Sequence, residues 1–81
     1  LRYRIDIDEF GTRHYYSADN RLHRTVGPAV LWTTGDSFWF QNGQLHRTDG
    51  PAIEYSDGRK FWYLNHRPLT EDDFNQAVKA L

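Results

Sequence analysis

Two histidine–arginine pairs, His23-Arg24 and His46-Arg47, are the residues here whose types and spacing come nearest to chemistry. Each sits in an octet, LHRTVGPA at 22–29 and LHRTDGPA at 45–52, that differs from the other at one letter. Either the pairs form a functional site, or their donors satisfy carbonyls left free where a strand ladder breaks. The second reading is preferred, because the surrounding letters are turn letters. The other candidates are weaker. His14, His23, His46 and His66 are never three to five residues apart and cysteine is absent, so no structural zinc site is expected. Asp6 and Asp8 share a strand face, but a divalent ion would want more oxygen ligands than two. Ser17, Ser37 and Ser56 lack a nucleophile-elbow context, and no phosphate-binding loop is present. A non-enzymatic protein without metal or cofactor is expected.

The octets start 23 residues apart, and that spacing governs the rest of the chain. Laying 27–49 over 50–72 matches Gly27 with Gly50, Pro28 with Pro51, Ala29 with Ala52, Gly35 with Gly58, Trp39 with Trp62 and Asn42 with Asn65. Residues 4–26 read as a worn copy, with Ile7 facing Val30 and Tyr15-Tyr16 facing Phe38-Trp39. Gly11 then falls one place early, which predicts a bulge or an altered turn there.

Each unit alternates strand letters with turn letters. AVLW and SFWFQ are β-branched and aromatic, while TTGD and SDGR are hairpin turns. Asn42-Gly43 demands a type I′ turn, with positive φ at both residues. His66 takes the place of Gly43 in the third unit, so that turn must differ or carry strain. Thr-Asp-Gly-Pro then ends the ladder, since proline cannot donate to a central strand. His23, His46, Asn42, Gly43, Gly27, Gly50, Pro28 and Pro51 are therefore assigned to the scaffold of the repeat. The expected fold is mainly β: one domain over 1–81, an antiparallel meander of stacked hairpins at about 4–26, 27–49 and 50–69, and a capping helix at 70–81.

That helix is read from TEDDFNQAVKAL, where Phe74, Ala77, Val78 and Leu81 make one helical stripe. Thr70 is the N-cap, Glu71, Asp72 and Asp73 fill the first turn, and Leu69 and Phe74 stand at staple positions.

The stretch FWFQNGQLHRTDGPAIEYSDGRKFWYLNHR resembles a variant MORN repeat, with Asn42-Gly43, His46 and Asp57-Gly58 at matching positions. The HR-x-D-G-P-A extension departs from the common form and is similar to the version in small bacterial and phage proteins. The resemblance covers about residues 4 to 70. It implies scaffolding, membrane-association or protein-binding roles.

Strand alternation sends Phe38 and Phe40 one way and Trp39 the other. Two readings follow for the aromatics, which make up 16% of the chain. All of them are core, or Tyr16, Trp39 and Trp62 line a recognition stripe flanked by Arg24 and Arg47. The stripe points to a partner protein, as a small phage or bacterial inhibitor or adaptor would need. A carbohydrate or cell-wall-polymer binder is one alternative, because GRKFWYLN looks like aromatic wall-binding hairpins. A single-stranded nucleic-acid binder is another, but a net charge of −1 counts against it. No membrane partner is expected, because no apolar run reaches a span. The lack of cysteine fits a cytoplasmic location. Strand 2–8 presents an open edge, kept soluble by Arg2, Arg4, Asp6 and Asp8 or hidden in a homodimer.

Overall fold

Turn letters recur so often that no strand has room to grow long. The computed structural model describes residues 4–81. The described residues contain nine strands: β1 (Arg4–Ile7), β2 (Arg13–Tyr16), β3 (Val30–Leu31), β4 (Ser37–Phe38), β5 (Phe40–Gln41), β6 (Gln44–Leu45), β7 (Ile53–Glu54), β8 (Lys60–Leu64) and β9 (Arg67–Leu69). One helix, α1 (Glu71–Lys79), follows. All pairings between these strands are antiparallel. A seven-stranded sheet runs β1-β2-β3-β4-β7-β8-β9, and β5-β6 forms a two-stranded partner. The molecule is thus a mainly antiparallel β meander closed by a C-terminal helix, as expected. Of the expected edge strand 2–8, residues 2 and 3 lie outside the described residues.

Each unit makes two hairpins in succession. The first is β1–β2, then β3–β4, then β7 with the start of β8. The second is the Tyr16–Leu22 bridge, then β5–β6, then the end of β8 with β9. The second hairpins are tied by backbone bonds between units. Gly43 N–H donates to Leu22 O at 2.8 Å, and His66 N–H to Leu45 O at 2.8 Å.

The first unit corrects the sequence alignment. Gly11 N–H donates to Asp8 O at 3.0 Å, as Gly35 does to Trp32 and Gly58 to Tyr55, each at 3.0 Å. Gly11, Gly35 and Gly58 also share positive φ, at 85°, 95° and 95°. So there is no bulge or altered turn at Gly11. The extra residue sits later, in the second hairpin. Tyr16 bridges Leu22 and Ser17 N–H donates to Arg21 O, which leaves Ala18, Asp19 and Asn20 as the loop. The corresponding loop of the next unit is Asn42-Gly43 alone, since Gln41 pairs with Gln44. Everything before residue 18 is therefore displaced by one. Leu31, not Val30, is the counterpart of Ile7, and Trp39 is the counterpart of Tyr15, not of Tyr16.

The turn at Asn65-His66 does not differ from its predecessor. Asn42 and Gly43 have φ of 53° and 78°, and Asn65 and His66 have 51° and 70°. A β-carbon in the left-handed region costs about 1–2 kcal/mol. His66 offsets this by binding the neighbouring unit, its N–H donating to Leu45 O and its Nδ1 accepting from Leu45 N–H at 3.3 Å.

The core is thin. Ala29, Val30, Ala52, Ile53 and Phe74 are its buried apolar side chains among the described residues. The fold is a slab, 38 × 31 × 17 Å, so much of both sheet faces meets solvent. Helix α1 packs on β8 and β9 and buries Phe74. Thr70 Oγ1 accepts from Asp73 N–H at 3.1 Å, as an N-cap should. The helix ends at Lys79, before the expected boundary, and Leu81 is 83% exposed rather than part of the packed stripe. Among the described residues, no helix is long and apolar enough to cross a membrane.

Candidate functional site

The repeated octet has a mechanical part for nearly every letter. His23 Nδ1 accepts the Asn42 N–H at 2.9 Å, and His46 Nδ1 accepts the Asn65 N–H at 3.0 Å. Each imidazole thereby holds the hairpin turn of the next unit. The arginines lie flat on rings: the Arg24 guanidinium is 4.0 Å from the Tyr15 centroid, and that of Arg47 is 3.8 Å from the Trp39 centroid. Arg24 also donates to Pro28 O at 3.2 Å, and Arg47 to Pro51 O at 3.0 Å. Arg47 adds carboxylates at 2.8 Å, Asp49 through Nε and Glu54 through Nη1.

The glycine after each arginine makes room for this. A β-carbon on Gly27 would lie 2.7 Å from Arg24 Cζ, and one on Gly50 would lie 2.9 Å from Arg47 Cζ. Each guanidinium is thus sandwiched between an aromatic face and a glycine backbone, using its planarity. In the third unit the arginine position falls to Thr70, which caps α1 instead.

These placements redraw the expected stripe. Tyr16 is not in the column of Trp39 and Trp62; Tyr15 is. Arg24 and Arg47 do not flank the column but cover two of its rings, Tyr15 and Trp39, and the Arg47 side chain keeps only 17% of its exposure. Trp39 and Trp62 are half-buried. Tyr16 instead lies under Arg4, whose Cζ is 4.4 Å from the ring centroid.

The opposite face carries a second row of aromatics. Directly paired residues project to the same side of a sheet, so Val30, Phe38, Ile53 and Phe61 form one row across β3, β4, β7 and β8. Trp32 and Tyr55, two residues beyond Val30 and Ile53, share that side. Trp32 meets Phe38 at 4.7 Å, Phe38 meets Tyr55 at 5.8 Å and Tyr55 meets Phe61 at 5.9 Å, all edge to face. Phe61 is 44% exposed, and the other three are half-buried. Arg59 extends over Tyr55 at 4.5 Å. The sign in the sequence was the match of Trp32 to Tyr55 and of Phe38 to Phe61.

Acidic groups brace the turns. Ser56 N–H donates to Asp36 at 2.7 Å, which holds the Asp36 carboxyl below the ordinary carboxylate range. Asp57 is lowered first by the Arg59 N–H, and Asp19 first by the Ser17 hydroxyl. No group of three potential metal ligands occurs among the described residues. An open groove of about 590 Å³ lies between the β8–β9 hairpin and α1, lined by Leu64, Arg67, Leu69, Asp73 and Gln76 among others. Comparison of the chain with family models, with curated proteins and with solved structures yields no match.

Proposed function

We propose that this chain is a non-enzymatic protein-interaction module whose contact surface is the ladder Trp32, Phe38, Tyr55 and Phe61, bordered by Arg59. One observation carries the reading. Four aromatic rings form a continuous, partly exposed row on one face of a thin sheet, while the arginine-covered rings of the other face serve the scaffold. Aromatic rings with an adjacent arginine are the composition of binding hot spots. They offer large contact area at small side-chain entropy cost. The resemblance to variant MORN repeats supports the same role, and suggests a small bacterial or phage inhibitor or adaptor.

The test is affinity capture with the wild type and with Tyr55→Ala and Phe61→Ala. The captured protein is then purified and titrated at low and moderate salt. Loss of binding in both variants, with stability of Phe61→Ala changed by no more than about 1 kcal/mol, supports the ladder as the contact. A steep loss with salt would instead favour nucleic acid. Retention on wall polysaccharide would favour a sugar ligand. Undiminished binding by both variants would sink the proposed surface.

A further inference from the structure

The outer edge of β1 has no partner strand among the described residues. β1 ends the large sheet, and Arg4, Ile5, Asp6 and Ile7 are all exposed, with Ile5 at 53% and Ile7 at 61%. A strand with this much apolar surface and an unpaired edge invites another strand. The far end of the sheet is protected differently: β9 contains Pro68, and α1 packs on β8 and β9.

The backbone indicates which residues face outward. Asp8 N–H donates to Thr12 O at 3.1 Å. In the β1–β2 register, hydrogen-bonded pairs alternate from there, so Asp6 with His14 and Arg4 with Tyr16 bond inward. Ile5 and Ile7 therefore turn their N–H and C=O groups away from β2. Tyr15 agrees with this parity: it lies opposite Ile5 and sends its own N–H to Ala29 O at 2.8 Å, away from β1.

The side chains then choose a register. Around Ile5 the sequence is antisymmetric in charge, with Arg2-Tyr3-Arg4 before it and Asp6-Ile7-Asp8 after it. Two antiparallel copies with Ile5 on the two-fold axis place Arg4 opposite Asp6 of the second copy, and Asp6 opposite its Arg4. Ile5 meets Ile5, a pair whose outward N–H and C=O groups bond reciprocally. A two-fold axis at Ile7 would set Asp6 against Asp8, and one at Asp6 would set Asp6 against itself. Like charges directly opposite are destabilising, so both are disfavoured. Within the monomer Arg4 and Asp6 are already neighbours on one side of the strand, 3.4 Å apart, with about half of each side chain exposed. They are therefore available for a second contact across the axis.

We infer that the chain forms a two-fold dimer by antiparallel pairing of β1 with β1 of a second copy, with Ile5 on the axis and Arg4–Asp6 pairs on either side. This is independent of the aromatic ladder as the partner surface.

Sedimentation equilibrium over a concentration series tests it with three variants. Arg4→Asp sets two carboxylates opposite each other at both pairs, and Asp6→Arg sets two guanidinium groups there. Each should weaken dimerisation by about 10-fold or more. In an equimolar mixture of the two single variants, the mixed dimer again sets a carboxylate against a guanidinium at both pairs and should form as readily as the wild-type dimer. The double variant, carrying both changes in one chain, restores opposite charges at both pairs and should dimerise as the wild type does. Circular dichroism follows the fold in parallel. A wild type that stays monomeric into the millimolar range overturns the inference. So do single variants that dimerise undiminished, or a folded double variant that fails to recover.

Discussion

His46 reaches across to the next unit and accepts the Asn65 N–H at 3.0 Å, the same bond that His23 makes with Asn42. The histidine of the octet is therefore a splice between hairpins, not a free imidazole awaiting a substrate. Its strength sets how tightly successive turns are held in register.

Replacing His46 with alanine should lower stability by about 1 kcal/mol, the net worth of one hydrogen bond. The larger cost of a stranded buried donor does not apply, because Asn65 is exposed and water can replace the ring nitrogen. Urea denaturation should show a lower midpoint with an unchanged slope. Amide exchange at Asn65 should accelerate. A midpoint that does not move would show that the turn holds without the splice.

How far the letters revealed this arrangement depends on the range of each interaction. Turn chemistry is local, so Asn42-Gly43, the glycines at 35 and 58 and the Thr70 cap were readable directly. The loop at Ala18-Asp19-Asn20 was harder. Tyr15 and Tyr16 are adjacent and chemically identical, so a one-residue slip leaves the aromatic pattern looking intact. Such a slip nevertheless transfers a side chain to the other face of the sheet. Spacing alone therefore aligns Tyr16 with Trp39, whereas the register aligns Tyr15. Burial of Trp39 beneath Arg47 is illegible for another reason: the stacking is set by the rotamer of the arginine side chain, which strand alternation does not specify.

The glycine–arginine contact gives a prediction that separates packing from backbone freedom. Gly50→Ala places a methyl group 2.9 Å from Arg47 Cζ, so the guanidinium must leave the Trp39 face or the backbone must move. Overpacking of this kind costs about 1–3 kcal/mol. Arg47→Ala alone should also destabilise, since it uncovers Trp39 and removes the donor to Pro51 O. Combined, the two changes should cost clearly less than their sum, because the alanine methyl then has no guanidinium to displace. Additive losses in a denaturation cycle would mean that Gly50 serves the backbone and not the arginine.

Acid should loosen the molecule through its turn carboxylates. Asp36 is held below the ordinary range first by the Ser56 N–H, with the Thr34 hydroxyl assisting at 3.1 Å and partial desolvation opposing. Asp57 is lowered by the Arg59 N–H and side chain, and Asp19 by the Ser17 hydroxyl and by Arg21. A carboxyl whose folded value is depressed favours the folded state above its unfolded value, and that contribution disappears as pH falls through the folded one. The contribution of these three carboxylates should therefore be level from neutrality to about pH 5 and decline below about pH 4, where unperturbed carboxylates begin to protonate. Asp36→Asn should be less stable than the wild type at pH 7, because a neutral amide is the weaker acceptor for Ser56. It should also lose less on acidification, so the two curves converge at low pH. Urea midpoints measured across the series would show this; parallel curves would place the acid sensitivity elsewhere in the chain.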